Sequence, residues 1–292
     1  MKLEDLIGNT PLVELRHLNP NPKVRILCKL EGQNPGGSVK DRAVLSMISS
    51  ALQRGQIKPG DKLVEATSGN TGIALAMIAN VKGLKMTLIM PEGATRERIL
   101  AMQAYGAEVI LTPAAKTIEY ARQMAEQMAA SGEYFQLNQF ANPDNFWAHH
   151  RTTGPEIWRD TQGQVTHFVS AMGTTGTIMG VSRFLKEQNP AIQIVGTQPK
   201  PGSQIPGIRR WSPDFLPAIF EPGRVDRVVD VSQEEATLMT RQMAAKEGIL
   251  AGMSSGGALF AALEVAKELE SGTIVCITCD RGDRYLSSDL FG

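Results

Sequence analysis

Short β-branched or apolar runs alternate along this chain with longer stretches of helical spacing, the pattern of β-α units built around a parallel sheet. Strands are predicted over residues 24–30, 62–66, 86–90, 108–111, 167–170, 192–197, 227–231 and 273–278. Helical spacing covers 43–54, 73–81, 95–105, 117–131, 177–187, 233–247 and 258–270, and Gly106, Gly132 and Gly248 follow three of these segments as left-handed C-caps. The expected fold is α/β, with two open, twisted, largely parallel sheets flanked by helices. Within 142–147 (NPDNFW), Pro and Asn residues interrupt the periodic pattern between the two halves.

Composition narrows the function. The 292 residues carry 30 Lys plus Arg against 30 Asp plus Glu, so no basic field recommends nucleic acid or an anionic membrane, and a small molecule is the default partner. Residues 1–11 (MKLEDLIGNTP) lack the apolar run of a secretory signal, and the longest charge-free stretch, 161–182, is broken by Gln, His, Gly and Thr. The expected location is the cytoplasm. Three cysteines, Cys28, Cys276 and Cys279, are an odd count that suits reduced thiols. Residues 276–279 (CITC) match a redox dithiol by letters only, because they run through a strand. His149 and His150 are adjacent, which suits no spaced metal site, and no metal is expected.

Five glycine-containing turns lie around the ends of strands and the starts of helices. In 34–42 (NPGGSVKDR), Ser38 and Asp41 have capping-box spacing, which places Lys40 in the first helical turn. A cation there opposes the helix dipole, and that field makes a neutral amine easier to reach. A solvated surface lysine would read the same by itself. In 63–72 (LVEATSGNTG), free N–H groups and the hydroxyls of Thr67, Ser68 and Thr71 converge at a helix start, which suits a carboxylate or phosphate. An ordinary capped turn has the same letters. Residues 168–177 (FVSAMGTTGT) repeat the device without the dinucleotide or triphosphate signatures, so a monoester phosphate fits better. The turns at 252–257 (GMSSGG) and 279–287 (CDRGDRYLS) complete a ring beyond the carboxyl ends of strands.

Together and in this order, PGGSVKDR, TSGNTG, GTTGT and GMSSG resemble the fold type II pyridoxal-phosphate enzymes, and within them the cysteine synthases, or O-acetylserine sulfhydrylases. GNTPL at 8–12, TGPEI at 153–157 and RYLS at 284–287 add to the match, while IPGIRRW at 205–211 and CDRG at 279–282 are similar to the B isozyme. The resemblance implies pyridoxal 5′-phosphate as cofactor, bound between a smaller domain of residues 35–142 and a larger one of 1–34 and 143–292. It implies that Lys40 binds the cofactor covalently and acts in catalysis. Gly173, Thr174, Thr175, Gly176 and Thr177 would cradle its phosphate, Asn70 would meet its phenolic oxygen, and Ser254 its ring nitrogen. Thr67, Ser68, Gly69, Thr71 and Gln139 would hold the substrate carboxylate, and Arg209 and Arg210 an anionic sulfur donor.

The implied reaction is β-replacement on O-acetyl-L-serine by sulfide or thiosulfate, in a homodimer without a serine acetyltransferase partner. Cystathionine β-synthase and serine/threonine dehydratase are alternatives within the fold. A non-catalytic α/β module, which would be colourless, is the alternative outside it.

Overall fold

The computed structural model describes residues 1–67 and 69–292, with Thr117 described by its backbone alone. The strands are β1 (Leu12–Glu14), β2 (Val24–Leu30), β3 (Lys62–Ala66), β4 (Lys85–Pro91), β5 (Glu108–Thr112), β6 (Tyr134–Phe135), β7 (His167–Ala171), β8 (Gln193–Pro199), β9 (Arg227–Val231) and β10 (Gly272–Thr278). The helices are α1 (Lys40–Gln53), α2 (Asn70–Val81), α3 (Arg96–Ala104), α4 (Thr117–Ala130), α5 (Asp144–Arg151), α6 (Thr153–Asp160), α7 (Gly176–Gln188), α8 (Gln233–Glu247) and α9 (Met253–Glu268). Among the described residues the strands form two sheets, β1-β2-β10-β7-β8-β9 and β5-β4-β3-β6, in which only the β1–β2 pair is antiparallel. This is the α/β architecture expected from the alternating pattern.

Burial explains why the central strands read as unbroken apolar runs. β2 and β10 pair in register from Val24 with Gly272 to Leu30 with Thr278 and lie between helices on both faces, so their buried positions are mostly apolar, with Lys29 of β2 a buried charge among them. Leu259, Ala262 and Ala266 of α9 pack on one face of the larger sheet, and Ile178, Val181 and Leu185 of α7 on the other. The smaller sheet is covered on one face by α1 and α2 and on the other by Ala121 and Ala125 of α4.

The differences from the predicted elements fall at the turns. Helices α1, α2 and α9 start three to five residues earlier than their apolar periodicity, at Lys40, Asn70 and Met253, because their first turns carry polar and glycine residues instead of a buried stripe. Residues 144–151 and 153–160 are helical, although Pro143, Gly154 and Pro155 break the pattern; Asn142 Oδ1 accepts the Asp144 N–H at 3.0 Å, and Pro155 sits in a first turn, where its missing N–H costs nothing. The short strands β1 and β6 carry too few residues to show a period. Gly106, Gly132 and Gly248 all adopt positive φ, as the C-cap reading requires. At α8 the full capping box forms, with Ser232 Oγ accepting the Glu235 N–H at 3.1 Å and Glu235 accepting the Ser232 N–H at 2.7 Å. No described helix is long and apolar enough to cross a membrane.

Candidate active site

The loops that leave β2, β3, β7, β8 and β10 at their carboxyl ends converge on one cleft of about 1010 Å³, with a narrow inner pocket at its base. Lys40 lines both. It heads α1, and its loop is pinned to the end of β10: the Val39 N–H donates to the Cys279 carbonyl at 2.8 Å, and Ser38 bridges to Asp280. The expected capping box is not what forms. Ser38 Oγ accepts the Lys40 N–H at 3.2 Å, while the Asp41 carboxylate turns back to accept the Gly36 N–H at 2.5 Å, because the tight Pro35-Gly36-Gly37 turn brings that donor closer than the Ser38 amide. Burial among the cleft walls pushes the Lys40 ammonium below its ordinary pKa, with Cys279, Asp280 and Glu31 pulling the other way. The result is an amine readier to work neutral.

The turn after β7 has the geometry of an anion site. After β7, Thr175 adopts φ +70°, a left-handed conformation that costs a residue with a Cβ about 1 kcal/mol or more, and its buried Oγ1 has no hydrogen-bond partner among the described residues. α7 begins at the next residue, so its first N–H groups point at the same place with the positive end of the helix dipole. A Cβ on Gly176 would collide with Asn145 Oδ1, and one on Gly173 would lie 2.7 Å from the Gly207 carbonyl, so both positions must be glycine for the backbone to close up. Thr174 Oγ1 accepts from Asn145 Nδ2 at 3.2 Å, and Thr177 Oγ1 lies 3.3 Å from His149 Nε2. Burial keeps His149 neutral, its pKa well below the ordinary histidine value, and Nδ1 lies 2.8 Å from Thr153 Oγ1. An orphaned hydroxyl, a helix N-terminus and two obligatory glycines fit the phosphate of pyridoxal phosphate.

Thr67, Gly69, Asn70, Thr71 and Gln139 line the cleft beside Lys40; Ser68 lies outside the described residues. Thr71 Oγ1 donates to Gln139 Oε1 at 2.8 Å, which joins the β3–α2 turn to the segment after β6 and leaves the Gln139 amide nitrogen for another partner. Asn70 is held from both ends: Nδ2 donates to Asp280 at 2.7 Å and Oδ1 accepts from Arg284 at 2.6 Å. Ser254, second residue of α9, is buried in the inner pocket beside Cys279, whose thiol burial pushes up to about 11 and the Ser254 hydroxyl pulls back down.

The two arginines part company. Arg209 lies over the Trp211 ring at 5.4 Å, with its guanidinium toward Glu119 and Arg122 of α4. Arg210, although it borders the cleft, is held by Asp230 of β9 at 2.5 Å and by the Pro199 carbonyl at 2.8 Å. Both line the cleft, and of the two it is Arg210 that an acid already holds.

Sequence reasoning missed Asp280, Arg284 and Tyr285 as a unit. Asp280 Oδ2 also accepts from the Tyr285 hydroxyl at 2.6 Å, and Arg284 bonds the Gly36 carbonyl, so one cluster ties Asn70 to the lysine loop. An acid and an arginine immediately beyond a central strand were the available signal. It missed Glu65 too, a carboxyl only 4% exposed, whose Oε2 accepts the Asn138 N–H at 3.0 Å and so fixes the left-handed residue preceding Gln139.

Burial raises Glu65 to about 7, against the lowering effect of Asn138 and Gln136. A carboxyl with an unfolded pKa of ~4.3 that keeps its proton to about 7 when folded stabilises fully below the former value. That contribution fades as pH rises through the latter. Buried Asp41, also raised to about 7, acts in the same direction. Glu65→Gln should therefore flatten the fall in stability between pH 4.5 and 7, by up to ~3 kcal/mol. Melting curves across that range check it, and an unchanged slope would contradict the assignment.

A profile of pyridoxal-phosphate dependent enzymes matches residues 3–280. The chain belongs to this family. Cysteine synthase B of Pseudomonas aeruginosa is 59% identical over 289 residues, covering 99% of this chain and 97% of its own length. Cysteine synthase B of Escherichia coli (strain K12) is 58% identical over 290 residues, covering 99% and 96%. The crystal structure of cysteine synthase from Entamoeba histolytica superposes with a TM-score of 0.93 at 41% identity, covering 99% of this chain and 90% of that one. Thr175, at the N-terminus of α7, and Lys40 line the same inner pocket.

Proposed function

We propose that the chain catalyses β-replacement on O-acetyl-L-serine, with sulfide or thiosulfate as donor, giving L-cysteine or S-sulfo-L-cysteine plus acetate. The observation that carries the reading is one cleft bringing together a pKa-lowered lysine, a phosphate cradle and a carboxylate-sized turn. Its similarity to cysteine synthase B of two bacteria supports the choice of substrate. Pyridoxal phosphate, when bound, supplies the electron sink that eases loss of the Cα proton.

Gly173 to Thr177 would hold the phosphate, Ser254 would partner the ring nitrogen, Asn70 the phenolic oxygen, and Lys40 would carry the cofactor covalently. Thr67, Ser68, Gly69, Thr71 and Gln139 fix the substrate carboxylate, which orients Cα toward Lys40. Lys40 Nζ removes the Cα proton and later returns it. Acetate leaves from Cβ with the electron pair of the broken C–O bond, and the donor sulfur forms the new bond there. A Ser254 hydroxyl cannot hold a proton on the ring nitrogen as a carboxylate would, which favours elimination over transamination. The reading includes domains of 35–142 and of 1–34 with 143–292, a cytoplasmic homodimer, and no serine acetyltransferase partner.

Purified protein should absorb in the visible and change its spectrum on addition of O-acetylserine. Mass spectrometry should then find cysteine with sulfide and S-sulfocysteine with thiosulfate. A protein that, supplied with cofactor, forms neither product overturns the reading.

A further inference from the structure

A carboxyl is out of place inside β3. The strand reads KLVEA, and Glu65 lies in it between Val64 and Ala66, both buried in the core of the smaller sheet. An ionisable group in such surroundings is costly to bury unless its oxygens are satisfied. The segment after β6 meets both of them: Oε2 accepts the Asn138 N–H at 3.0 Å, and Oε1 accepts from Gln136 Nε2 at 3.4 Å. Backbone pairing between β3 and β6 ends at Leu63 with Phe135, so the Glu65 side chain carries the connection onward where the ladder stops.

What it holds is the approach to Gln139. Asn138 adopts φ +52°, a left-handed conformation that asparagine tolerates better than most residues with a Cβ and that persists where its neighbours fix it. That turn lets Leu137 pack into the core of the smaller sheet while Gln139 lines the cleft. Gln139 is fixed from two further sides, its carbonyl by Asn145 Nδ2 at 2.8 Å and its Oε1 by Thr71 Oγ1 at 2.8 Å. Thr67, which also lines the cleft, is only two residues beyond Glu65. The end of β3 therefore delivers one wall of this part of the cleft and, through Glu65, aims the other. Burial raises the carboxyl to about 7, yet its two contacts fall on separate oxygens, so a proton on Oε1 leaves Oε2 free for Asn138. A leucine at this position would bury as well and leave the Asn138 N–H without its acceptor, so packing gives no reason for an acid here.

We propose that Glu65 is a positioning residue for the substrate carboxylate: by holding the Asn138 N–H it sets Gln139 against Thr71, and its loss falls on recognition of the acid end of the substrate. This rests on the reading above, in which Gln139 and the β3–α2 turn receive that carboxylate. Glu65 itself touches no reacting atom. It acts through the backbone of residue 138, so what it supplies is an acceptor at one place, whatever its charge.

Holoenzyme is titrated with L-serine and with L-serine methyl ester, which has no carboxylate charge, and binding is read from the visible absorbance. Glu65→Leu, which keeps the volume and removes the acceptor, should weaken L-serine binding about tenfold or more while the ester's affinity stays within about twofold of the parent's. Glu65→Gln should restore L-serine binding, because its amide oxygen accepts the Asn138 N–H and its nitrogen donates to a rotated Gln136 amide. Glu65→Ala stands in should the leucine variant fail to fold. Equal losses for acid and ester would mark a general collapse of the site and overturn the proposal. So would unchanged L-serine affinity without the acceptor, a glutamine variant that restores nothing, or a parent protein that binds acid and ester alike. If the variants behave as expected but the parent forms no cysteine from O-acetylserine, the role of Glu65 stands and the β-replacement reading falls.

Discussion

Lys40→Ala should fold, yet lose its cofactor on dialysis and fall in activity by about 10³-fold or more. The fold is spared because Lys40 makes no hydrogen bond or ion pair through Nζ among the described residues, only one through its backbone N–H, and its burial penalises the ammonium. The turn that carries it is fixed by other groups: Val39 on the Cys279 carbonyl, Asp41 on Gly36, and Arg284 on the Gly36 carbonyl. What disappears is the amine at the junction of inner pocket and cleft. The phosphate cradle remains, so the variant should still bind the cofactor weakly and reversibly. Reduction with borohydride followed by peptide mapping checks the site of attachment, and a fixed adduct on another lysine would refute it.

The cradle and the lysine were legible because each breaks a local preference. Lys40 puts a cation at a helix N-terminus, and residues 173–177 put small polar residues where a helix would otherwise begin its apolar stripe. Most strands were legible from continuous apolar runs, and β2 and β3 fall on the predicted bounds. Helices α5 and α6 were not. Their starts use Pro143, Gly154 and Pro155, which read locally as breakers, and only packing against α7 and α1 reveals the helical register. The directions of Arg209 and Arg210 were hidden for another reason. Adjacent residues on an irregular loop have no periodicity, so which one finds an acid depends on β9 supplying Asp230, a tertiary fact.

Glu156→Gln should destabilise the protein by about 3–5 kcal/mol, the cost of removing the carboxylate shared by two buried cations. Glu156 accepts from Arg42 at 2.7 Å on each oxygen, from Lys29 at 2.7 Å and from the Asn9 N–H at 2.9 Å. Lys29 is 0% exposed, and its further contacts are the Thr10 carbonyl at 2.6 Å and Asp160 at 3.6 Å. Arg42 also binds Glu31 at 2.7 Å, so the cluster ties the GNTPL segment, β2, α1 and the TGPEI segment into one unit. The sequence showed these two motifs only as a resemblance; the physical reason for them is this shared charge cluster two residues from Lys40. Burial works to raise the Glu156 pKa, but Arg42 and Lys29 hold it down to about 2. Its contribution is therefore present above the unfolded value of ~4.3 and is lost as pH falls toward 2. Pairing Glu156→Gln with Lys29→Met removes one charge of each sign and should recover part of the loss, because a methionine fills the volume without needing a partner. Denaturant titration of the single and double variants at pH 7 distinguishes the cases. A single variant as stable as the parent, or a double variant less stable than the sum of its parts, would show that the cluster is solvated rather than mutually dependent.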